Sequence, residues 1–357
     1  MSEDYQVSSP LWLAIIYSIL LIVGNTAGLC GNSLVIFSTL NKQLTFKLDG
    51  GTVTFLRNLA LADVIFILLY PLPMTLTYCT GWWVYGDWFC TVTGHLISVP
   101  VFANMNFILL ISLHRFTRCK YPLKVHQLTP NIANMMSGIT WAFSCLFIVY
   151  TVLQLPGSEF NNVLATCSFL FPRSVLNGVL IVLLIGLPFF IIVLINFLLW
   201  LHVRSFSDKI SQHRKPSLEP NFSQKRNISK TLESSGSIVL AGAQPSSTET
   251  KKTTELPEPR SKKESKGSLF STYRAIITTT AVTALFAFTW MPTVIRFMVA
   301  GFAGEQCIPF WLEQLRYLYF LGPWGNPLLY VTINRGFRDY FKSFFRKLCV
   351  SLCRDRS

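Results

Sequence analysis

The sequence predicts an all-α membrane protein, a seven-transmembrane helix bundle followed by a short amphipathic helix 8. Three observations lead there. Of the residues, 51% are hydrophobic and only 13% are charged, against about 25% charge in an ordinary soluble domain. Seven stretches reach the roughly 20 mostly apolar residues that a spanning helix needs. Lys and Arg collect in alternate connections between those stretches, which sets a sidedness. A formal net charge of +14 also suits a nucleic-acid binder, but such a protein places its bases on a polar, soluble fold. Here they sit between apolar runs, so no nucleic-acid partner is expected. Nine cysteines are too sparse for a disulfide scaffold, and no CxxC pair suggests zinc.

The spans fall at about 11–40, 52–78, 88–118, 130–154, 174–203, 272–301 and 308–333. Each must satisfy its own backbone hydrogen bonds in lipid, so helices are expected. The first 40 residues hold Glu3 and Asp4 but no Lys or Arg, whereas Lys42, Lys47 and Arg57 follow the first span. The second connection has Asp87 and no base; the third has Arg118, Lys120 and Lys124. The fourth has Glu159 and only Arg173, and the fifth is a long basic segment from Arg204 to Arg274. The sixth has Glu305 and no base, and the tail carries Arg335, Arg338, Lys342, Arg346 and Lys347. The expected order is an extracellular N-terminus (1–10), spans 1–5 (11–204), a basic third intracellular loop (205–270), spans 6–7 (271–333), helix 8 (334–348) and a cytoplasmic tail (349–357). The N-terminus lacks the basic start of a cleaved signal peptide, so the first span is read as retained.

Residues 205–270 are rich in Ser, Thr, Lys, Glu and Pro and poor in aromatics. That composition cannot bury a core, and the loop is expected to be disordered. A regulatory, phosphorylated loop and an inert spacer both fit it. In 335–348, Phe337, Phe341, Phe344 and Phe345 share one side and bases the other, as in a helix lying in the interface. Cys349 and Cys353 beside it are candidates for palmitoylation.

Polar and proline marks interrupt every span. They run Gly31-Asn32 in the first; Asn58-Leu-Ala-Leu-Ala-Asp63 in the second; Trp83-Val-Tyr-Gly86-Asp-Trp-Phe-Cys90 before the third; and Arg115, then Pro122-Leu123, at its end. Trp141 follows in the fourth, Cys167 in the next loop, Pro188 in the fifth, Phe286-Ala-Phe-Thr-Trp290-Met-Pro292 in the sixth, and Asn326-Pro327-Leu-Leu-Tyr330 in the seventh. In this order and spacing the chain resembles the rhodopsin-like (class A) G-protein-coupled receptors, over everything except the termini and the long loop. Within that family its texture is similar to the melatonin-receptor-like and moody-like orphan branch, with medium-chain-fatty-acid receptors nearby.

The resemblance implies a plasma-membrane receptor for an extracellular or membrane-derived ligand. Its partners would be a heterotrimeric G protein, with arrestin and receptor kinases. Arg115 would be the coupling residue, and Trp290, Pro292, Asn326, Pro327 and Tyr330 the switch. Cys90 and Cys167, both on the oxidising side, would pair. Cys79 and Cys307 are expected to be free buried thiols. Asn32, Asp63, Asn104 and Asn326 would form an intramembrane polar network, worth about 0.6 kcal/mol per hydrogen bond, or a sodium site with Asp63 as the charge. The chain departs from the family at His114-Arg115-Phe116, where an acid and a Tyr usually flank the Arg. It departs again at Asn196, where a Tyr is common. A weaker resting lock and raised basal activity are expected.

Ile97 stands where amine receptors place an Asp, and Phe320 where opsins place the retinal Lys, so neither a cationic amine nor retinal is expected. No cofactor is expected, an allosteric sodium ion aside. The predicted cleft takes Ile97, Ser98, Val101, Phe102, Trp290, Thr293, Val294, Phe297, Tyr317 and Phe320, with Arg173, Arg296 and Arg316 at its rim. That composition suits a small lipophilic ligand, lipid included, with the arginines favouring an anionic head. Arg296 and Arg316 alternatively pair with Glu305 and Glu313. A seven-span transporter or channel is the competing class. No enzyme is expected, because no HExxH, GxSxG or paired carboxylates occur in the spans.

Overall fold

The computed structural model describes residues 5–40, 50–121, 129–154, 158–162, 164–169, 174–213, 260–333 and 335–354. The first span is α1 (Leu11–Leu40). The second is α2 (Gly50–Leu69) and α3 (Pro71–Thr80), the third α4 (Gly86–Leu96) and α5 (Ser98–Lys120), and the fourth α6 (Pro130–Gln154). A hairpin follows, with β1 (Ser158–Asn161) antiparallel to β2 (Thr166–Phe169) and Phe160 opposite Cys167. The fifth span is α7 (Val175–Ile181), a π turn Val182–Gly186 and α8 (Leu187–His213). The sixth is α9 (Arg260–Ala303). The seventh is α10 (Phe310–Gln314), a 3-10 segment Leu315–Phe320 and α11 (Leu321–Ile333); α12 (Arg335–Arg354) is helix 8.

The first six spans are each long and apolar enough to cross a membrane, and the seventh is a composite. Prolines explain most of the breaks, since each lacks an N–H and crowds the carbonyl four residues back. Pro71 opens α3, Pro100 follows the break at Ile97, and Pro188 follows the π turn. Pro323 follows the 3-10 segment and brings no N–H to the Tyr319 carbonyl. Neighbouring spans re-satisfy such groups. Pro327 cannot bond the Pro323 carbonyl, and Asn32 Nδ2 donates to it at 2.8 Å. Close packing marks the same seam: a Cβ on Gly31 would lie 2.6 Å from Pro327.

The bundle comprises Met1–Trp200 and Thr272–Ser357; Leu201–Ser271 forms a separate unit. α8 and α9 carry helix into both ends of the stretch expected to be a disordered loop, to His213 and from Arg260. The middle of that loop lies outside the described residues, as does residue 334. Helix 8 runs on to Arg354, through the first residues assigned to the tail.

Phe55, Leu59, Ile67, Phe107 and Ile192 fill the core. The outward faces are apolar too, as at Leu146, Leu153 and Phe197. In α6 only 22% of the most apolar stretch is buried, which fits a helix whose solvent is lipid.

Candidate functional site: a cleft and a cavity on one helix face

One end of the bundle is stapled. Cys90 on α4 and Cys167 on β2 are bonded, with S–S 2.00 Å, which pins the hairpin over the third span. The N-terminal segment is stitched across the same end, by Trp83 N–H to Tyr5 O, Val7 N–H to Gly81 O and Ser8 N–H to Asn162 O, each 3.0 Å. The Tyr5 hydroxyl donates to Asp87. Cys79 and Cys307 are free, as expected, but exposed rather than buried; Cys79 sits on a helix face turned away from the core.

Beneath these staples lies a cleft with roughly 700 Å³ of empty space, mouth included. Ile97, Ser98, Val101, Phe102, Trp290, Thr293, Phe297 and the rim residue Arg296 line it, together with Phe66, Tyr70, Gly94, Phe147, Ile185 and Tyr319, which sequence reasoning did not place there. Val294 and Tyr317 are not in the lining, and nor is Phe320. Phe320 is 2% exposed and packs on Tyr319 and Trp324. The 3-10 segment explains this correction: 3.0 residues per turn instead of 3.6 rotates the face by about 20° per residue. Over the five steps from Leu315 to Phe320 that drift amounts to about one α-helical residue step, and Tyr319 takes the place. Arg173 lies outside the described residues, and of Arg316 only the backbone is described.

Arg296 binds both acids expected to be shared with Arg316. Its Nε meets Glu313 Oε2 and its Nη2 meets Glu305 Oε2, each at 2.8 Å. The Ser98 hydroxyl is spent on the His95 carbonyl at 2.7 Å, whereas Thr293 Oγ1 is buried with no partner among the described residues.

Mid-bundle, Asp63 is fully buried. Asn104 Nδ2 donates to its Oδ1, and Asn326 Nδ2 to its Oδ2 at 2.9 Å. Asn32, expected in the same cluster, gives its amide hydrogens to Gly28 O and Pro323 O instead. A sodium cage needs oxygens turned to the ion. Both amides turn N–H groups to Asp63, and Gly322 and Pro323 bring no side-chain oxygen, so these residues as arranged do not build one. Among the described residues no group of three His, Cys, Asp or Glu side chains is placed to share a metal.

At the opposite end Arg115 is 8% exposed and lines a narrow gap, with room for about one water molecule, together with Leu56, Ile108, Ile111, Val282, Thr283 and Tyr330. Thr283 Oγ1 and Tyr330 Oη are buried and unpartnered among the described residues. His114 packs edge-on to Phe55, and Lys120 lies over Phe116. Asn196 donates to Ser112 Oγ at 2.8 Å, tying the fifth span to the third one turn from Arg115. Tyr330 packs against Phe337 of helix 8. Phe345 of that helix is exposed, and so is Cys349; Cys353 is described by backbone alone.

One face of α9 touches both spaces. Arg296, Thr293 and Trp290 line the cleft, Phe286 stacks under Trp290 at 5.7 Å, and Thr283 and Val282 line the cavity. These steps of three and four residues are one stripe of a helix, and Pro292 interrupts its hydrogen bonding within the stripe.

A family profile described as "7 transmembrane receptor (rhodopsin family)" matches residues 31–330. The chain belongs to that family. As a rhodopsin-family receptor it is a multi-pass membrane protein and not an enzyme, and the reading as a seven-span transporter or channel falls away. Its relatives include somatostatin receptor type 5 of Rattus norvegicus, 29% identical over 45% of this chain and 43% of the relative. Galanin receptor 2b of Danio rerio is 29% identical over 48% of each. The matches thus span about half the length of these relatives. Melatonin receptor type 1A of Mus musculus is 23% identical over 96% of this chain and 83% of its own. These relatives place the chain in the family without choosing a branch. Squid rhodopsin superposes with a TM-score of 0.70 at 18% identity, covering 98% of this chain and 90% of its own, which establishes the shared fold.

Proposed function

We propose that this rhodopsin-family receptor binds a small lipophilic ligand in the cleft and activates heterotrimeric G proteins from the Arg115 end. The observation that carries the reading is the continuous stripe on α9. The same helix face meets ligand at Arg296, Thr293 and Trp290 and meets the Arg115 cavity about 15 Å away, ten residues at 1.5 Å each. A ligand that prefers one packing of Trp290 and Phe286 shifts the population of the other end, with Pro292 as the hinge. The alternation of Lys and Arg supports a plasma-membrane orientation with the disulfide end outside. Arrestin and receptor kinases would share the Arg115 end, and Cys349 and Cys353 would anchor helix 8 when palmitoylated.

Guanine-nucleotide exchange tests this in membranes expressing the full chain, against a panel of lipids, fatty acids and indoles. The expected result is exchange above mock membranes that disappears in Arg115→Ala at equal surface expression. An unchanged response in that variant would sink the assignment of Arg115.

A further inference from the structure

We propose that Asn25 and Trp324 are positioning residues for the cleft. By seating the seventh span on the first, they hold its 3-10 segment in the register that turns Tyr319 inward. The consequence for recognition rests on the reading of the cleft as the ligand site.

A 3-10 stretch of this length needs something to hold it. Its hydrogen bonds are poorer than those of an α-helix, and runs beyond three or four residues are uncommon; Leu315–Phe320 is six residues long. Side chains three apart eclipse in this geometry, which puts Phe320 directly below Tyr317. Tyr317, Phe320 and Trp324 form one aromatic column, with successive ring centroids 6.1 and 5.8 Å apart. The top of the column is tied to the first two spans. Tyr17 stacks on Tyr317 at 4.7 Å, and the Tyr78 and Tyr317 hydroxyls share a hydrogen bond of 2.7 Å. An α-helical register would turn Phe320 about 60° out of the column.

At the foot of the column Trp324 sits in a notch of the first span. A Cβ on Gly24 would collide with the indole ring, and one on Gly28 would lie 2.8 Å from it. The indole N–H donates to Asn25 Oδ1 at 3.2 Å. Asn25 is buried and donates onward to the second span, to Pro71 O at 3.0 Å and Thr75 Oγ1 at 2.9 Å. One amide therefore joins three spans. Each such bond is worth only about 0.6 kcal/mol, but in the hydrocarbon region no water competes for it. Rotating the seventh span by one residue would lose the notch and the bond together. The column fixes where its neighbour points. Tyr319 packs 4.5 Å from Phe320, and stands 6.0 Å from Trp290 and 5.8 Å from Tyr70, both in the lining. Neither Asn25 nor Trp324 lines the cleft.

The test needs no ligand. It uses intact cells expressing the full chain with Cys79→Ser and Cys307→Ser, which remove two exposed thiols. A charged, membrane-impermeant methanethiosulfonate is added outside. Tyr319→Cys and, on the third span, Val101→Cys should both react, since both positions line the cleft. Asn25→Leu, Trp324→Ala and Gly24→Ala break the clasp in three ways, so one that fails to reach the surface leaves two. Each should slow the reaction of Tyr319→Cys several-fold and leave that of Val101→Cys unchanged. Trp324→Phe, which keeps a ring in the notch, should retain most of the rate. An unchanged rate at Tyr319→Cys overturns the proposal. A parallel change at both positions, the mark of general loosening, overturns it too. The panel of lipids, fatty acids and indoles, added as probes, reports separately on the ligand reading. If no probe slows Val101→Cys but the clasp variants slow Tyr319→Cys, the ligand reading fails and this one stands. If a probe protects Val101→Cys and the clasp variants leave Tyr319→Cys unmoved, the ligand reading stands and this one falls.

Discussion

The two ends of the bundle are held together by different chemistry. At the disulfide end the fastenings are covalent and ionic: Cys90–Cys167, the Arg296 pair of salt bridges, the backbone bonds that stitch Tyr5–Ser8 to its neighbours, and the hairpin. Among the described residues at the Arg115 end, single hydrogen bonds and ring contacts, such as Asn196 to Ser112 and Tyr330 on Phe337, surround a gap with two hydroxyls that lack a partner there. The first arrangement preserves a preformed cleft. The second would have to exchange one packing for another at little cost if it is the coupling end proposed above.

The sharpest break of this comparison is at Arg115. Arg115→Ala should reduce ligand-driven nucleotide exchange to the mock level while thermal-shift binding of ligand changes by less than about 3-fold, because the proposed coupling and recognition sites sit at opposite ends. Loss of both together would show the ends to be one unit. At the stapled end, Cys90→Ser should cost about 2–5 kcal/mol of stability, seen as a lower thermal midpoint and reduced surface expression. The bridge joins residues 77 apart in the chain. A midpoint within about 1 °C of wild type would mean that the hairpin and the N-terminal stitch hold the cleft without it.

Much of this was legible from hydropathy and marks. The fourth span, expected at 130–154, is Pro130–Gln154 in the structure, since no internal proline complicates it. The cleft was legible on the third and sixth spans, where α-helical spacing, despite the break at Ile97 and the proline at 292, carries Ile97, Ser98, Val101 and Phe102, and Trp290, Thr293 and Phe297, to one side each. It was misread on the seventh, because a 3-10 segment cannot be foreseen from apolar composition and it turns Tyr319 inward in place of Phe320. The hairpin was missed as well. Four-residue strands carry little pattern, and this pair is fixed by the disulfide to α4. That Arg296 meets both Glu305 and Glu313 is set by three elements brought together in space, which spacing along the chain does not reveal. Asn32 was assigned by residue type to the Asp63 cluster, but the carbonyl freed by Pro327 competes for its amide and wins.

Between the two ends lies Asp63, where the comparison can be sharpened. Asp63→Leu removes the acceptor for two buried amides, at about 1–3 kcal/mol for each one left unsatisfied. The thermal midpoint should fall while the cleft's preference among probes is kept. Because the amides of Asn104 and Asn326 already occupy the carboxylate, replacing sodium chloride by choline chloride should change ligand affinity less than about 2-fold. A larger effect that disappears in Asp63→Asn would mean both amides rotate to present oxygen and a sodium site forms after all.

The smallest structural effect is expected at Tyr330. Its ring is packed on Phe337 and its hydroxyl is buried without a partner among the described residues. Tyr330→Phe keeps the ring contact and deletes only the unpartnered group, so the thermal midpoint should move by the equivalent of less than about 0.5 kcal/mol, in either direction. If the hydroxyl serves only this packing, nucleotide exchange will be equally unmoved. If the Arg115 end repacks when ligand binds, the hydroxyl gains its partner in the second arrangement, and ligand-driven exchange should fall several-fold against an unchanged resting stability. That split between stability and signalling is what a loosely fastened end predicts and a rigid one does not. A variant that loses stability and exchange in proportion would show that Tyr330 is a structural strut.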